Sequence, residues 1–180
     1  MLEIIPFSKC RNKKGFFSEL HLLDNIVLAT SGSLYDNESW TEQQFRFNLP
    51  KKDTLSFVCF HSKSIIGFSV GYSFLPNWCH ISRLALHPDF RGRGIAKNIL
   101  QVQINEMVKQ LPDAITVDTQ KNNYAAIKLY NSYNFKILTG LELEAYIKIR
   151  DRKAAEYISN NASHHALLNR LNEQFKLEII

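Results

Sequence analysis

The sequence predicts an α/β (α+β) domain built on one mixed β-sheet flanked by helices. Three observations carry that class. Between Thr54 and Pro88, three runs rich in aromatic and β-branched residues follow one another with short polar breaks. A helix-period apolar stripe then runs through Gly94–Leu111. Beyond it, short strand patterns alternate with a second helical pattern.

The elements follow in chain order. Ser39–Leu49, "SWTEQQFRFNL", opens with Ser39 and Glu42 at capping-box spacing and reads as a helix ended by Pro50. Thr54–Phe74 reads as two strands joined by a polar turn at Ser62–Ser64, and Gly67 and Gly71 inside them mark a close approach or irregular backbone. "WCHISRLALHP" is a further strand closed by Pro88. In the long helix, Ile95, Ile99, Val102 and Met107 form the stripe, with Leu100 and Ile104 beside it. "AITVDT" is a short strand, "NYAAIKLYNSYNF" a helix, and "FKILT" and "AYIKIR" are later strands. In the tail, Leu167, Leu168, Leu171 and Phe175 share one face of a short amphipathic helix, which covers the sheet or pairs with a second copy as a homodimer.

Composition narrows the function classes. The chain has 180 residues, 45% hydrophobic and 22% charged, enough for one domain with a core. No apolar run is long enough to span a bilayer, and "MLEIIPFSKCRNKKG" has no leader pattern, so neither a membrane nor a secretory route is expected. Three cysteines at irregular spacing do not form a disulfide framework and fit a reducing, cytoplasmic setting. The net charge of +5 suits an anionic ligand, but the densest basic block, "RNKKG", is too short for a nucleic-acid arm, so no nucleic-acid partner is expected. Cys59, His61, Cys79 and His80 match no zinc spacing, so no metal is expected.

The chemistry concentrates in "HPDFRGRGIAKNIL". A helix N-terminus presents unpaired N–H groups and partial positive charge, glycines remove the Cβ atoms above them, and arginines add forked donors. A strand, a Gly/Arg turn and a helix thus make a phosphate cradle. It is not a dinucleotide fingerprint, because Lys97 stands at the third glycine position, and no P-loop pattern occurs.

Arg91, Gly94 and Ala96 meet the pattern [Q/R]-x-x-G-x-[G/A], after a strand ending Leu86-His87-Pro88. Further on, Asn123, Ala126, Leu129, Tyr130 and Phe135 meet N-x-x-A-x-x-L-Y-x-x-x-G-F, with Asn134 in the glycine position, where a left-handed residue is expected. In these two elements the chain resembles the GCN5-related N-acetyltransferase (GNAT) family. The resemblance implies a centrally splayed sheet with helices on both faces. It also implies transfer of an acetyl group from acetyl-CoA to a primary amine of a small molecule or protein through a tetrahedral intermediate. The two elements cover about the middle third of the chain; we expect the domain to span residues 1–150, with 151–180 as a helical extension of it. Carried over to this chain, the resemblance places the diphosphate on the amides of Arg91, Gly92, Arg93, Gly94, Ile95 and Ala96. Pantetheine then lies along Leu84, Ala85 and Leu86, and an N–H near Leu86 holds the oxyanion. Tyr130 becomes the proton donor to the leaving thiolate, or else a core aromatic, and Asn123 a pantetheine contact or helix cap. For the base, the strand "HISRLAL" offers no carboxylate; the resemblance implies Asp118, five residues before Asn123 and acting through water, and His80 and proton loss through water alone are the alternatives. The resemblance also implies that the segment Asn12–Asn48, including the helix near Trp40, lines the acceptor side. The rival reading is a non-catalytic acyl-CoA-binding module.

Overall fold

A computed structural model describes residues 1–31, 39–75 and 77–160. The chain divides into two units, Met1–Phe135 and Lys136–Ile180. The first holds a five-stranded mixed sheet in the order β1-β2-β3-β4-β5: β1 Leu2–Pro6, β2 Phe57–His61, β3 Ser64–Leu75, β4 Trp78–Leu86 and β5 Ala114–Val117. The first four strands pair antiparallel, and β5 joins β4 in parallel. The β2–β3 turn falls at Ser62 and Lys63, as the polar break predicts, with Ser62 in the left-handed region at φ 60°.

Helices cover both faces of this sheet. On one, α1 (Phe16–Ser31) and α2 (Glu42–Arg46) bury Phe17, Leu20, Leu23, Val27 and Phe45 against Phe68, Val70 and Ala85. On the other, α4 (Ile95–Val108) and α5 (Tyr124–Asn131) bury Leu100, Met107 and Tyr130 against Cys79 and Ile81, while Ile95 and Ile99 pack on Phe57, Ile66 and Leu86. The short helix α3 (Lys52–Leu55) adds Leu55 to this second layer. All three cysteines are buried as free thiols.

One polar knot is built into the α4 face. Gln103 lies fully buried in the helix's apolar stripe; its Oε1 accepts from the Ser69 hydroxyl and its Nε2 donates to the Leu55 carbonyl at 2.9 Å. Ser56 Oγ accepts the Gly71 N–H at 3.1 Å and donates to the Gly71 carbonyl at 3.0 Å. Gly71 is the close approach its position predicts. A Cβ there would sit 2.4 Å from Met107 Cε, 2.5 Å from Gln103 Nε2 and 2.8 Å from the Leu55 carbonyl oxygen.

Several elements differ from the sequence reading. The capping box is Thr41 with Gln44, not Ser39 with Glu42: Thr41 Oγ1 accepts the Gln44 N–H while Gln44 Oε1 accepts the Thr41 N–H, so the helix starts later. β1, α1 and α3 are additional. α1 carries its own signal, since Phe16, Phe17, Leu20, Leu23 and Val27 recur at helical spacing. The strands read at "FKILT" and "AYIKIR" are absent: the second unit has α6, Gly140–Asn160, instead. The alternating Leu141, Leu143, Ala145, Ile147 and Ile149 favour a strand, but Leu, Glu, Ala, Lys and Arg dominate the segment and their helix propensity prevails. Alternation on a helix cannot gather one apolar face, and Leu141 and Ile149 are exposed. The tail helix read over Ser163–Phe175 lies outside the described residues.

Gly71→Ala is expected to lower stability by about 2–3 kcal/mol, because backbone and packed side chains must shift around the new methyl. The change in urea midpoint at unchanged m-value checks this.

Candidate active site

The site begins where two strands part. β5 pairs with β4 at only four positions, from Trp78↔Ala114 to Ile81↔Val117, while β4 runs on to Leu86. The first residue past the last pair is a bulge. Against β3, Ile81 faces Gly71 and Arg83 faces Val70, leaving Ser82 without a counterpart. Further along, the His87 N–H reaches back to the Ile66 carbonyl at 2.8 Å. Antiparallel strands alternate the direction of their main-chain groups. With His87 turned toward β3, Ala85 turns there too, and the N–H and C=O of Leu84 and Leu86 point to the edge that β5 has left.

That edge leads into the glycine loop. After the 3₁₀ turn Pro88–Phe90, Gly92 and Gly94 both have positive φ, 75° and 74°, and a Cβ on either would meet nothing within 4 Å. Glycine is needed here for the backbone turn, and the space above the loop is open. α4 follows directly, its first turn closed by the Asn98 N–H on the Gly94 carbonyl at 3.1 Å. The N–H groups of Ile95, Ala96 and Lys97 therefore lack an intrahelical acceptor and point out of the helix start. The Ile95 side chain is buried in the core, which fixes its N–H in place.

The residues expected at the site divide as follows. The Arg91 N–H donates to the Pro88 carbonyl at 3.1 Å, so it closes the turn rather than joining the outward amides. The Arg91 guanidinium lies 3.4 Å from Ser31 Oγ and 3.5 Å from Thr30 Oγ1, tying the loop to the end of α1. Arg93 stacks over Phe90 at 5.5 Å. Asn123 is the N-cap of α5, its Oδ1 accepting the Ala126 N–H at 3.2 Å. Tyr130 is buried on the α4–α5 face against Cys79 and Ile81, 5.7 Å from the Phe135 ring. Asn134 adopts the left-handed conformation expected of it, at φ 62°. His80 lies between Cys79 and Ile81 and so points to the opposite face from Tyr130, with Nδ1 2.9 Å from Thr116 Oγ1 and its ring on Tyr72. Asp118 is exposed, one residue beyond β5.

Sequence reasoning missed a second constellation on the α1–α2 face. Asp24, fully buried on α1, takes Arg83 of β4 in a fork, Nε at 2.7 Å and Nη2 at 2.8 Å, and also accepts the Trp40 N–H at 2.8 Å. The Arg83 guanidinium lies 5.7 Å from the Trp40 ring centroid, and the Trp40 carbonyl meets His21 Nδ1 at 2.7 Å. The signal was present: Asp24 is the one acid inside the apolar stripe of α1. Beneath this layer, Lys52 is buried, and its Nζ donates to the carbonyls of Gln44, Phe45 and Phe47 at 3.1, 2.8 and 3.0 Å. It closes the C-terminus of α2, where unpaired carbonyls favour a cation. Burial pulls its ammonium from the usual 10.5 down to about 8.

A sheet that opens beside a glycine loop at a helix start defines a class, and comparison with known proteins agrees. The sequence profile of the acetyltransferase (GNAT) family matches residues 20–135, and the chain belongs to that family. It is 31% identical over 126 residues to the spore coat polysaccharide biosynthesis protein SpsD of Bacillus subtilis (strain 168), covering 70% of this chain and 42% of that one. The chain spans less than half the length of the curated relatives it matches. Its fold is similar to the ribosomal-protein-S18-alanine N-acetyltransferase of Escherichia coli, with a TM-score of 0.62, 19% identity, and 77% and 80% of the two chains covered. It is also similar to Arabidopsis thaliana Naa50 in complex with the bisubstrate analogue CoA-Ac-MVNAL, with a TM-score of 0.59, 17% identity, and 77% and 85% covered.

The Lys52 environment sets a pH dependence. With the folded value below the unfolded one, the unfolded chain holds the extra proton between pH about 8 and 10.5. Stability is therefore expected to rise with pH across that window and to show no Lys52 contribution to the slope below it. Urea melts of the native protein and Lys52→Met check this: the variant should lose that rise.

Proposed function

We propose that this protein is an acetyl-CoA-dependent N-acetyltransferase acting on a primary amine of a small molecule or protein, and that it works in the cytoplasm. The observation that carries the reading is the continuity of two main-chain surfaces: the outward edge of Leu84 and Leu86, and the helix-start amides of Ile95 to Lys97 above two positive-φ glycines. The residues present fit coenzyme A on structural grounds. The space above Gly92 and Gly94 is open to a diphosphate, and Arg93 between the glycines and Lys97 on the first turn of α4 add positive charge to this stretch of chain. A free strand edge suits the amides of pantetheine, which can lie there as an added strand. The similarly folded Arabidopsis protein is in complex with a CoA-linked peptide analogue, in keeping with coenzyme A as the ligand, and three unbridged buried thiols agree with a reducing compartment.

When bound, acetyl-CoA supplies a thioester whose carbonyl carbon an amine can attack. The protein's part is to bind, orient and move protons. The N–H groups of Ile95, Ala96 and Lys97 bind the diphosphate, and Leu84 and Leu86 align the pantetheine arm toward the bulge. An alkylamine is mostly protonated at neutral pH, so its proton must leave before attack. Asp118, exposed at the end of β5, takes that proton through water, or His80, oriented by Thr116, takes it directly. Tyr130 gives its phenolic proton to the departing sulfur. The face carrying Arg83, Trp40 and α2 lines the acceptor side.

Calorimetry with acetyl-CoA tests the coenzyme site. Gly94→Glu should weaken binding at least ~100-fold, since a side chain with a carboxylate then fills the diphosphate space; unchanged affinity would refute the loop assignment. Tyr130→Phe should lower thiol release with an amine panel about 100-fold while acetyl-CoA affinity stays near that of the native protein. An unchanged rate would leave Tyr130 a packing residue. Coenzyme binding with no acceptor turned over by the native protein would favour the non-catalytic acyl-CoA-binding module.

A further inference from the structure

Ser82 is the residue at which β4 loses its neighbour, and it is anomalous in one respect. Its Oγ is shut off from solvent and has no hydrogen-bond partner among the described residues. Buried hydroxyls are paired in folded proteins because an unmade bond is costly, so an exception points to an unseen partner or a function. The bulge decides where this hydroxyl faces. Ser82 and Arg83 together oppose Val70, whose side chain packs with α1 and α2. The hydroxyl therefore stands at the apex of the strand opening, on the acceptor-side layer.

The order of chemical groups in coenzyme A indicates what it would meet. This inference rests on the coenzyme site proposed above. With the diphosphate on the amides of residues 95–97 and the pantetheine along Leu86 and then Leu84, the next position toward the apex is Ser82, and the next group is the thioester. The only oxygen of an acetyl thioester is its carbonyl oxygen, an acceptor. A serine hydroxyl is a donor that turns about one bond without moving the backbone. The neighbouring cation is directed elsewhere, because Arg83 forks onto Asp24.

We propose that Ser82 Oγ–H donates a hydrogen bond to the carbonyl oxygen of the bound acyl thioester and holds it as negative charge develops there. As the amine nitrogen bonds to the carbonyl carbon, the π pair moves onto this oxygen. When the C–S bond breaks, the pair returns to re-form the carbonyl, the sulfur departs with the bonding electrons and takes the Tyr130 phenolic proton, and the nitrogen gives up a proton to water as it becomes the amide. Ser82 keeps its own proton throughout. It is a catalytic residue in the strict sense, a side-chain donor beside the main-chain edge.

The test compares acetyl-CoA with S-ethyl-CoA, which has the same chain but no carbonyl oxygen. The native protein should bind acetyl-CoA several-fold more tightly by calorimetry. Ser82→Ala and Ser82→Cys should lose most of that preference and leave S-ethyl-CoA affinity unchanged. Ser82→Ala should melt no lower than the native protein, since an unpaired buried hydroxyl is removed, and turnover should fall about 100-fold while KM for acetyl-CoA rises by no more than the several-fold loss of affinity. The role is overturned if the preference survives in Ser82→Ala, if both ligands weaken together, or if turnover stays within twofold. A fall in turnover with the preference intact would also overturn it, placing the hydroxyl on the amine instead. Failure of the native protein to bind either coenzyme would sink the proposed function itself, an outcome separable from all of these.

Discussion

Strand β4 is supported on one edge over its whole length and on the other for only four residues, and every feature of the candidate site follows from that inequality. A strand with an open edge exposes donors and acceptors that must find partners. Here they face a space that continues into the start of α4. The opening persists because both faces of β4 are held: Ile81 and Leu86 pack under α4, while Arg83 and Ala85 are fixed under α1. The Asp24–Arg83 fork is the polar part of this clamp. A buried ion pair of this kind is poor evidence of net stability but strongly resists loss of either partner. It ties α1 to the strand beside its bulge.

The division of labour between backbone and side chains is consistent across the site. The groups that face the open edge and the helix start are main-chain N–H and C=O, while nearby side chains act as anchors. Ile95 and Leu86 are buried, and Arg91 uses its own N–H and guanidinium to hold the turn and the end of α1. α2 is held in the same manner, by a lysine ammonium under three carbonyls rather than by an apolar contact alone. Backbone recognition depends on where the chain goes more than on which residues it carries. This explains why the family's fold is recognisable at 17–19% identity.

Much of the architecture was legible in the residues. The hairpin, β4, α4, β5 and α5 follow from periodicity and turn chemistry, and Gly92, Gly94 and Asn134 all take the positive φ that their positions called for. The reading failed where local signals conflicted or were weak. Residues 141–150 alternate like a strand yet form a helix, because propensity over the longer segment outweighs a period of two. The capping box was misplaced by two residues because Ser39 and Thr41 each have a suitable partner three residues on, and only the chain's path into the core chooses between them. α1 has plain apolar spacing, but no side-chain cap in the sequence marks where it starts.

The sequence by itself determined the family, the fold class and the position of the glycine loop, because those depend on local spacing: which residue tolerates a left-handed turn, which run repeats every 3.6 residues, which caps a helix. Only the tertiary structure decided that Asp24 meets Arg83 across 59 positions, that Lys52 closes the end of α2, and that Ser82 is a bulge with an unmatched hydroxyl. Those facts depend on strand register and on the distance between segments far apart in the chain. No local pattern records either, because a register is chosen by the packing of both faces at once.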